Sequence, residues 1–169
     1  PHVMLAGEGA DTFAKRVGLE IVPRKYFYTK HQWKQLEQWK AKQKTEKQSQ
    51  LEMTREYLGT VGCAALDSTG NIAAGTSTGG LTGKQYGRIG DSPIIAAGTY
   101  ADNSSCAISC TGHGEFFIRH AVAFDISARM KYANETIEQA AKTVVQQTLK
   151  KAGGRGGVIG LDNKGNIVM

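Results

Sequence analysis

Proline is scarce in this sequence, 3 residues in 169 against 21 glycines, and no apolar run approaches the roughly 18 residues that a membrane-spanning helix requires. Collagen-like, disordered and helix-spanning membrane chains are thereby excluded. Cysteine is scarce as well. Its three positions, Cys63, Cys106 and Cys110, form an odd set without dense spacing, which argues against a secreted disulfide scaffold and fits a reducing compartment, so the expected location is cytoplasmic. What is present, 40% apolar and 21% charged residues, is the profile of one compact domain able to bury about two thirds of its unfolded surface.

The chain opens on Pro1 and stops at Met169 inside an expected strand, so it reads as an excerpt of something longer. Its net charge of +6 is concentrated: between Arg24 and Glu56 lie nine Lys or Arg against four Glu. A nucleic-acid groove would interleave such cations with aromatics on a folded surface. Here the basic part is a low-complexity run of Lys, Gln, Thr and Ser, which reads as a solvated, flexible linker over about 38–57, and nucleic acid is not an expected partner.

Upstream of that linker, Asp11 is placed to cap a short helix carrying Phe13, Ala14 and Val17 and stopped by Gly18. Residues 18–22 read as extended. Thr29 and Gln32 have capping-box spacing ahead of a helix bearing Trp33 and Leu36. A boundary falls near residue 59. Beyond it the texture changes to strands at 60–66 and 71–76, joined by the turn-rich Asp67-Ser68-Thr69-Gly70. The phrase returns at 157–169, where Leu161-Asp162-Asn163-Lys164-Gly165-Asn166-Ile167 repeats Leu66-Asp67-Ser68-Thr69-Gly70-Asn71-Ile72, so two similar hairpins are expected. Residues 93–101 and 104–110 read as two further strands. Phe117, Ala121, Phe124 and Ala128, then Ile137, Ala141, Val144 and Thr148, recur at helical spacing and predict two helices. Strands, two helices and strands again make an α+β pattern with helices over a largely antiparallel sheet.

Several motifs fail on geometry. Cys106, Cys110 and His113 invite a metal, but residues four apart on a strand lie roughly 13 Å from one another, too far to share one zinc. Gly83-Lys84 lacks the first glycine and the hydroxyl residue of a phosphate loop. His31 and His120 have no partner at metal-binding spacing. No metal site is expected in this chain. What stands out is a density of Gly, Thr and Ser at expected strand ends: Gly59-Thr60, Thr76-Ser77-Thr78-Gly79-Gly80, Gly87-Arg88-Ile89-Gly90-Asp91-Ser92-Pro93 and Thr111-Gly112-His113-Gly114-Glu115. Glycine there admits a ligand to backbone N–H groups and threonine offers a donor or nucleophile, although both residue types also serve ordinary turns and strands.

These four phrases, in this order, resemble the plant-type L-asparaginase and isoaspartyl peptidase family of N-terminal-nucleophile hydrolases. The likeness is close from residue 58 to 162 and weaker at 2–10. It implies a four-layer αββα sandwich, here truncated at both ends, and a precursor that cuts itself between Gly59 and Thr60. Residues 1–59 then end the α-subunit, 60–169 begin the β-subunit, and the two together form one domain. Two such pairs make an (αβ)2 homo-oligomer. The implied activity is hydrolysis of the side-chain amide of L-asparagine and of β-aspartyl dipeptides. By the same resemblance Thr60 is the nucleophile, Thr78 orients it, Thr111 and the N–H of Gly112 hold the oxyanion, Arg88 grips the substrate α-carboxylate, and Asp91 with carbonyls near Gly112 and Gly114 takes the α-ammonium. The chemistry needs no cofactor, and a structural sodium is expected from an upstream segment outside this chain. Glycosylasparaginase is the alternative within the family, although that branch has Asn where Gly79 stands and Asp in the Thr-Gly-x-Gly phrase. An inactive fragment or a non-catalytic binding module is the alternative outside it.

Overall fold

The computed structural model describes residues 2–45 and 59–169, and the chain divides into two compact units, 1–48 and 49–169.

In the first unit, α1 spans Gly7–Arg16. It starts a turn earlier than expected, with Ala6 as N-cap and Asp11 inside the helix. The acidic residue that meets the positive end of the helix dipole is Glu8, not Asp11. Gly18 ends the helix at φ +80°, as its freedom in the left-handed region allows. Residues 19–23 form no strand, because no neighbouring strand among the described residues takes up their backbone groups. A single 3-10 turn, Arg24–Phe27, leads to α2, Lys30–Thr45. Thr29 Oγ1 accepts from Gln32 N at 3.2 Å, which is the cap that the spacing predicts. Trp33 is half exposed and its indole N–H donates to Glu37 at 2.9 Å, so this helix presents it as a polar anchor. The helix includes the first part of the expected linker, since Lys, Ala and Gln are good helix formers. The rest of that linker, 46–57, lies outside the described residues.

The second unit carries the strands. β1 (Val61–Leu66) and β2 (Ile72–Ser77) form an antiparallel pair with Val61 opposite Ser77. β3 (Thr99–Ala101), β4 (Cys106–Gly112), β5 (Gly156–Asp162) and β6 (Ile167–Val168) form a four-stranded antiparallel sheet in that order. Alternation along β4 assigns its two faces. Ser109 faces the hairpin: its hydroxyl lies 2.6 Å from that of Thr76, and a Cβ on Gly62 would run into it. Cys106, Ile108 and Cys110 face the other way, into a core with Phe117, Val122, Ile126, Ile137, Ala140, Val144 and Leu149. Burying side chains such as Ile108 and Phe117 stabilises the fold by roughly 1.5–3 kcal/mol each. The unit is therefore layered as hairpin, sheet and helices.

Two expectations are corrected. Residues 93–98 are a loop and not a strand. Its turns are closed by Ile94 N to Asp91 O at 2.8 Å and Ala97 N to Ile94 O at 3.1 Å, while the carbonyls of Ala96 and Ala97 accept from Phe124 N and Ala123 N. The loop thus supplies the cap that the start of a helix requires. The helix expected through 117–128 is broken into α3 (Gly114–Arg119) and α4 (Val122–Ala133), with Ala121 left-handed at φ +44°. The break changes the buried face of α4 to Val122, Ala123, Ile126 and Ser127, and Phe124 moves to the rim, edge-on to Tyr100. α5 (Ile137–Lys142) opens with a Thr136–Gln139 capping box and continues as a π-helical stretch, Thr143–Leu149. Its wider turn brings Leu149 to the core in place of Thr148.

The sequence repeat is a structural one. Asp67 Oδ1 accepts from Thr69 N and Asn71 N at 2.8 Å, and Asp162 Oδ1 accepts from Lys164 N and Asn166 N at 2.9 Å. Gly70 and Gly165 take φ +90° and +85° in the two turns. A third aspartate turn, Asp102 to Ser104 N at 2.9 Å, joins β3 to β4. Asn103 ties all three together: its Oδ1 accepts from Ile72 N at 2.9 Å, its Nδ2 donates to Asn71 Oδ1 at 2.8 Å, and its carbonyl accepts from Asn163 Nδ2 at 3.0 Å.

Candidate active site

Opposite that turn cluster, the strand ends gather the threonines. Gly62, Thr76 and Ser109 share one level between hairpin and sheet. Two residues along each strand, on the same faces because side chains alternate with period two, stand Thr60, Thr78 and Thr111. Thr60 Oγ1 donates to Thr78 Oγ1 at 3.2 Å, and Gly80 N donates to the same oxygen at 3.1 Å. Thr60 is half-buried and follows the exposed Gly59. Thr111 Oγ1 is buried with no hydrogen-bond partner among the described residues. Such a hydroxyl is costly unless something supplies an acceptor.

Gly112, at φ +148°, opposes Gly156 at the last step of the β4–β5 ladder, where a Cβ on either would meet Phe117 and the partner strand's backbone. Arg88, Asp91 and Gly114 converge beside it. A Cβ on Gly114 would stand 2.8 Å from Asp91 Oδ1 and 3.2 Å from an Arg88 terminal nitrogen. Only glycine fits there.

Arg88 and Asp91, three residues apart, do not form a surface ion pair with each other. Arg88 Nε binds Glu115 Oε1 at 2.7 Å with the Arg88 side chain 18% exposed. That bond, above all, holds the Glu115 carboxyl below its ordinary range, and it uses Nε, so the terminal guanidinium nitrogens remain for a second, planar partner. Asp91 is 5% exposed, with Oδ2 buried and without a hydrogen-bond partner among the described residues. Burial pushes its carboxyl up, and the charge of Glu115 adds to this, against the opposing pull of its own backbone N–H and of Arg88. A buried carboxylate lacking one partner, beside a forked cation, is suited to an ammonium and a carboxylate on one small molecule.

The structure thus brings Thr60 and Thr78 into contact and converges Arg88, Asp91 and Gly114, with Thr111 and Gly112 on the strand end between them. Glu115 was visible in the sequence only as the last residue of the Thr-Gly-His-Gly-Glu phrase, and its partnership with Arg88 needed the fold. Burial pushes the Cys106 thiol up to about 11 and that of Cys110 further, as befits inert core cysteines. Lys84 Nζ donates to Gly79 O at 2.7 Å. Among the described residues no three His, Cys, Asp or Glu side chains come together to hold a metal ion, and no helix is long and apolar enough to cross a membrane.

The asparaginase family model matches residues 1–169. The chain is 45% identical to isoaspartyl peptidase of Escherichia coli, over 100% of this chain and 53% of that protein. It is 39% identical to a protein named probable isoaspartyl peptidase/L-asparaginase 2 of Arabidopsis thaliana, over 99% of this chain and 57% of that protein. With isoaspartyl peptidase/L-asparaginase of Mus musculus the identity is 40%, over 99% and 50%. The chain spans about half the length of the curated relatives it matches.

Proposed function

Because this chain belongs to the asparaginase family, we propose that the whole protein hydrolyses the side-chain amide of L-asparagine and β-aspartyl dipeptides through Thr60, freed by self-cleavage after Gly59. The observation that carries this reading is the hydrogen bond from Thr60 Oγ1 to Thr78 Oγ1 directly after an exposed glycine. In the precursor, the Thr60 hydroxyl attacks the carbonyl of Gly59, a residue with no side chain of its own to shield it. The acyl group moves from nitrogen to oxygen, and water cleaves the ester to leave a Gly59 carboxylate and a free Thr60 amine. An amide nitrogen is no base, but an α-amine with a pKa of roughly 7.7–8.0 takes the hydroxyl proton near neutrality.

In the mature site Thr60 Oγ1 attacks the substrate's side-chain carbonyl carbon, and the proton passes to the Thr60 amine. Thr78 orients the hydroxyl. The negative oxygen is held by the Thr111 hydroxyl, which has no partner among the described residues, and by Gly112 N–H, each such donor contributing about 3–4 kcal/mol to the transition state. The proton then goes to the departing ammonia or amine, and water hydrolyses the β-aspartyl ester. Arg88 holds the α-carboxylate; Asp91 and carbonyls near Gly112 and Gly114 hold the α-ammonium. Membership of the family supports completion of this unit to an αββα sandwich, and pairing to (αβ)2, in the whole protein. Three free thiols suit the cytoplasm. A structural sodium belongs to a segment outside this chain and enters no step.

Intact-mass analysis and N-terminal sequencing of the full-length protein test the reading. Two fragments, the second beginning at Thr60, are expected; a folded chain that stays whole would overturn it.

A further inference from the structure

The acyl half of the substrate is accounted for by Arg88, Asp91 and Gly114. Nothing so far receives the leaving half. Its place follows from the sheet. The loop from Asp91 to Gly98 runs into β3, and the space a Gly98 side chain would need is filled by Asp91 backbone, so the α-group pocket lies on the β3 side of β4. The other neighbour of β4 is β5, where Gly157 stands directly across from Thr111. Opposed residues in a ladder project to the same face with side chains about 5 Å apart. A Cβ on Gly157 would meet nothing within 4 Å among the described residues, so there is room over Gly157, next to the buried Thr111 hydroxyl. Gly156 and Gly112 project to the opposite face, toward Phe117. By alternation Arg155 returns to the side of Gly157, at the open end of the strand. Arg155 is exposed, and no carboxylate among the described residues pairs with it.

We propose that Gly157 and Arg155 form a leaving-group subsite: Gly157 is the floor over which the departing amino acid lies, and Arg155 binds its free α-carboxylate. This rests on Thr60 acting as nucleophile with the oxyanion at Thr111. The ligand class follows from the chemistry. A β-aspartyl dipeptide carries a second carboxylate on its departing residue, whereas the ammonia leaving from asparagine carries none. The subsite therefore raises the specificity constant for β-aspartyl dipeptides and is silent toward asparagine. Because Arg155 is exposed, its contribution falls as salt screens it.

The test uses the self-cleaved full-length protein with three substrates: L-asparagine, β-Asp-Leu, and β-Asp-leucinamide, which lacks the terminal carboxylate. Arg155→Ala is expected to lower kcat/KM for β-Asp-Leu about tenfold, chiefly through KM, and Arg155→Lys to restore part of the loss. Rates on asparagine and the leucinamide should be unchanged. The wild-type preference for β-Asp-Leu over the leucinamide should shrink between low and high salt. Gly157→Val should depress both dipeptide substrates and spare asparagine. Equal losses on all three substrates, or none, with the wild type active on asparagine, would overturn the subsite alone. A wild type with Thr60 exposed that cleaves neither asparagine nor β-Asp-Leu would overturn the subsite and the catalytic reading together.

Discussion

Thr60 and Thr78 face each other one step beyond Val61 and Ser77, the last pair of the β1–β2 ladder, and the two hydroxyls meet at 3.2 Å. Thr60 is thereby held by a neighbour that directly continues a regular strand. Only a hydroxyl can make the attack, so Thr60→Ala should abolish both chain cleavage and hydrolysis, and Thr60→Ser should retain some of each. Mass spectrometry reads the first and ammonia release the second. An alanine variant made with a free N-terminus at 60 that still hydrolyses asparagine would place the nucleophile elsewhere.

Thr111→Val keeps the shape of the side chain and removes the buried donor. We expect kcat to fall about a hundred- to a thousandfold with KM little changed, because the lost interaction exists only in the transition state. Steady-state kinetics on asparagine measure the split. An unchanged kcat would mean that Thr111 lies away from the oxyanion.

In the proposed function Arg88 and Asp91 define the substrate by its α-groups. Asparagine and β-Asp-Leu present both while placing the scissile carbonyl one methylene beyond the α-carbon, whereas in α-Asp-Leu that carbonyl replaces the carboxylate. Glutamine overshoots. Arg88→Ala should lower kcat/KM by about a hundredfold or more while sparing chain cleavage, which involves no α-carboxylate. Comparable rates on α- and β-linked peptides would refute this assignment.

Asp91 has a raised carboxyl pKa in the folded chain, so the folded state holds its proton more tightly than the unfolded state does. Stability then declines as pH rises from the ordinary carboxylate range through the raised value, and the cost is fully present above it. Asp91→Asn should therefore raise the melting temperature at neutral pH by a few degrees, with the gain vanishing in acid, while binding of the α-ammonium is lost. Thermal melts across pH show the first effect. Calorimetric titration with aspartate shows the second.

The turn aspartates behave in the opposite sense. The Asp67 carboxyl is lowered to about 2 by the hydrogen bonds from Thr69 and Asn71, and at Asp162 bonds from Asn166 and Lys164 outweigh desolvation to hold it low as well. Their contribution is complete above the ordinary carboxylate range and is lost as pH falls through the lowered values. Asp162→Asn should destabilise the protein at neutral pH and flatten its acid unfolding. Equal slopes for variant and wild type below pH 4 would remove Asp162 from that transition.

Much of this was legible in the sequence for identifiable reasons. The hairpins at Asp67 and Asp162 declared themselves because their turn chemistry is local: an aspartate, a glycine for positive φ and an asparagine within five residues. Thr29 was legible for the same reason. The loop at 93–98 was not, because its apolar residues face no ladder and its carbonyls cap α4, more than 20 residues away in the chain. The buried stripe of α4 was misplaced because the left-handed Ala121 resets the helical phase between Phe117 and Val122, and nothing in the identity of an alanine announces that. In the site, the phrases around Thr60, Thr78, Arg88 and Thr111 stood out as strand-end clusters. The pairing of Arg88 with Glu115 joins a loop to the first turn of α3, and the opening over Gly157 follows from the β4–β5 register; no local pattern encodes either.

Asn103 lies at the end of the molecule away from the chemistry, yet it controls alignment there. It fastens the turns of both hairpins and of the β3–β4 connection, and from that fastening β1 runs six residues, about 20 Å, to Val61 and the nucleophile. A slide of the hairpin along the sheet by one residue's rise, about 3.3 Å, would carry Thr60 and Thr78 out of line with Thr111. The distal asparagine thus acts as an indexing pin for Thr60, and the alignment of the threonines can be mistuned from the far end of the strands without any change to Thr60, Thr78 or Thr111.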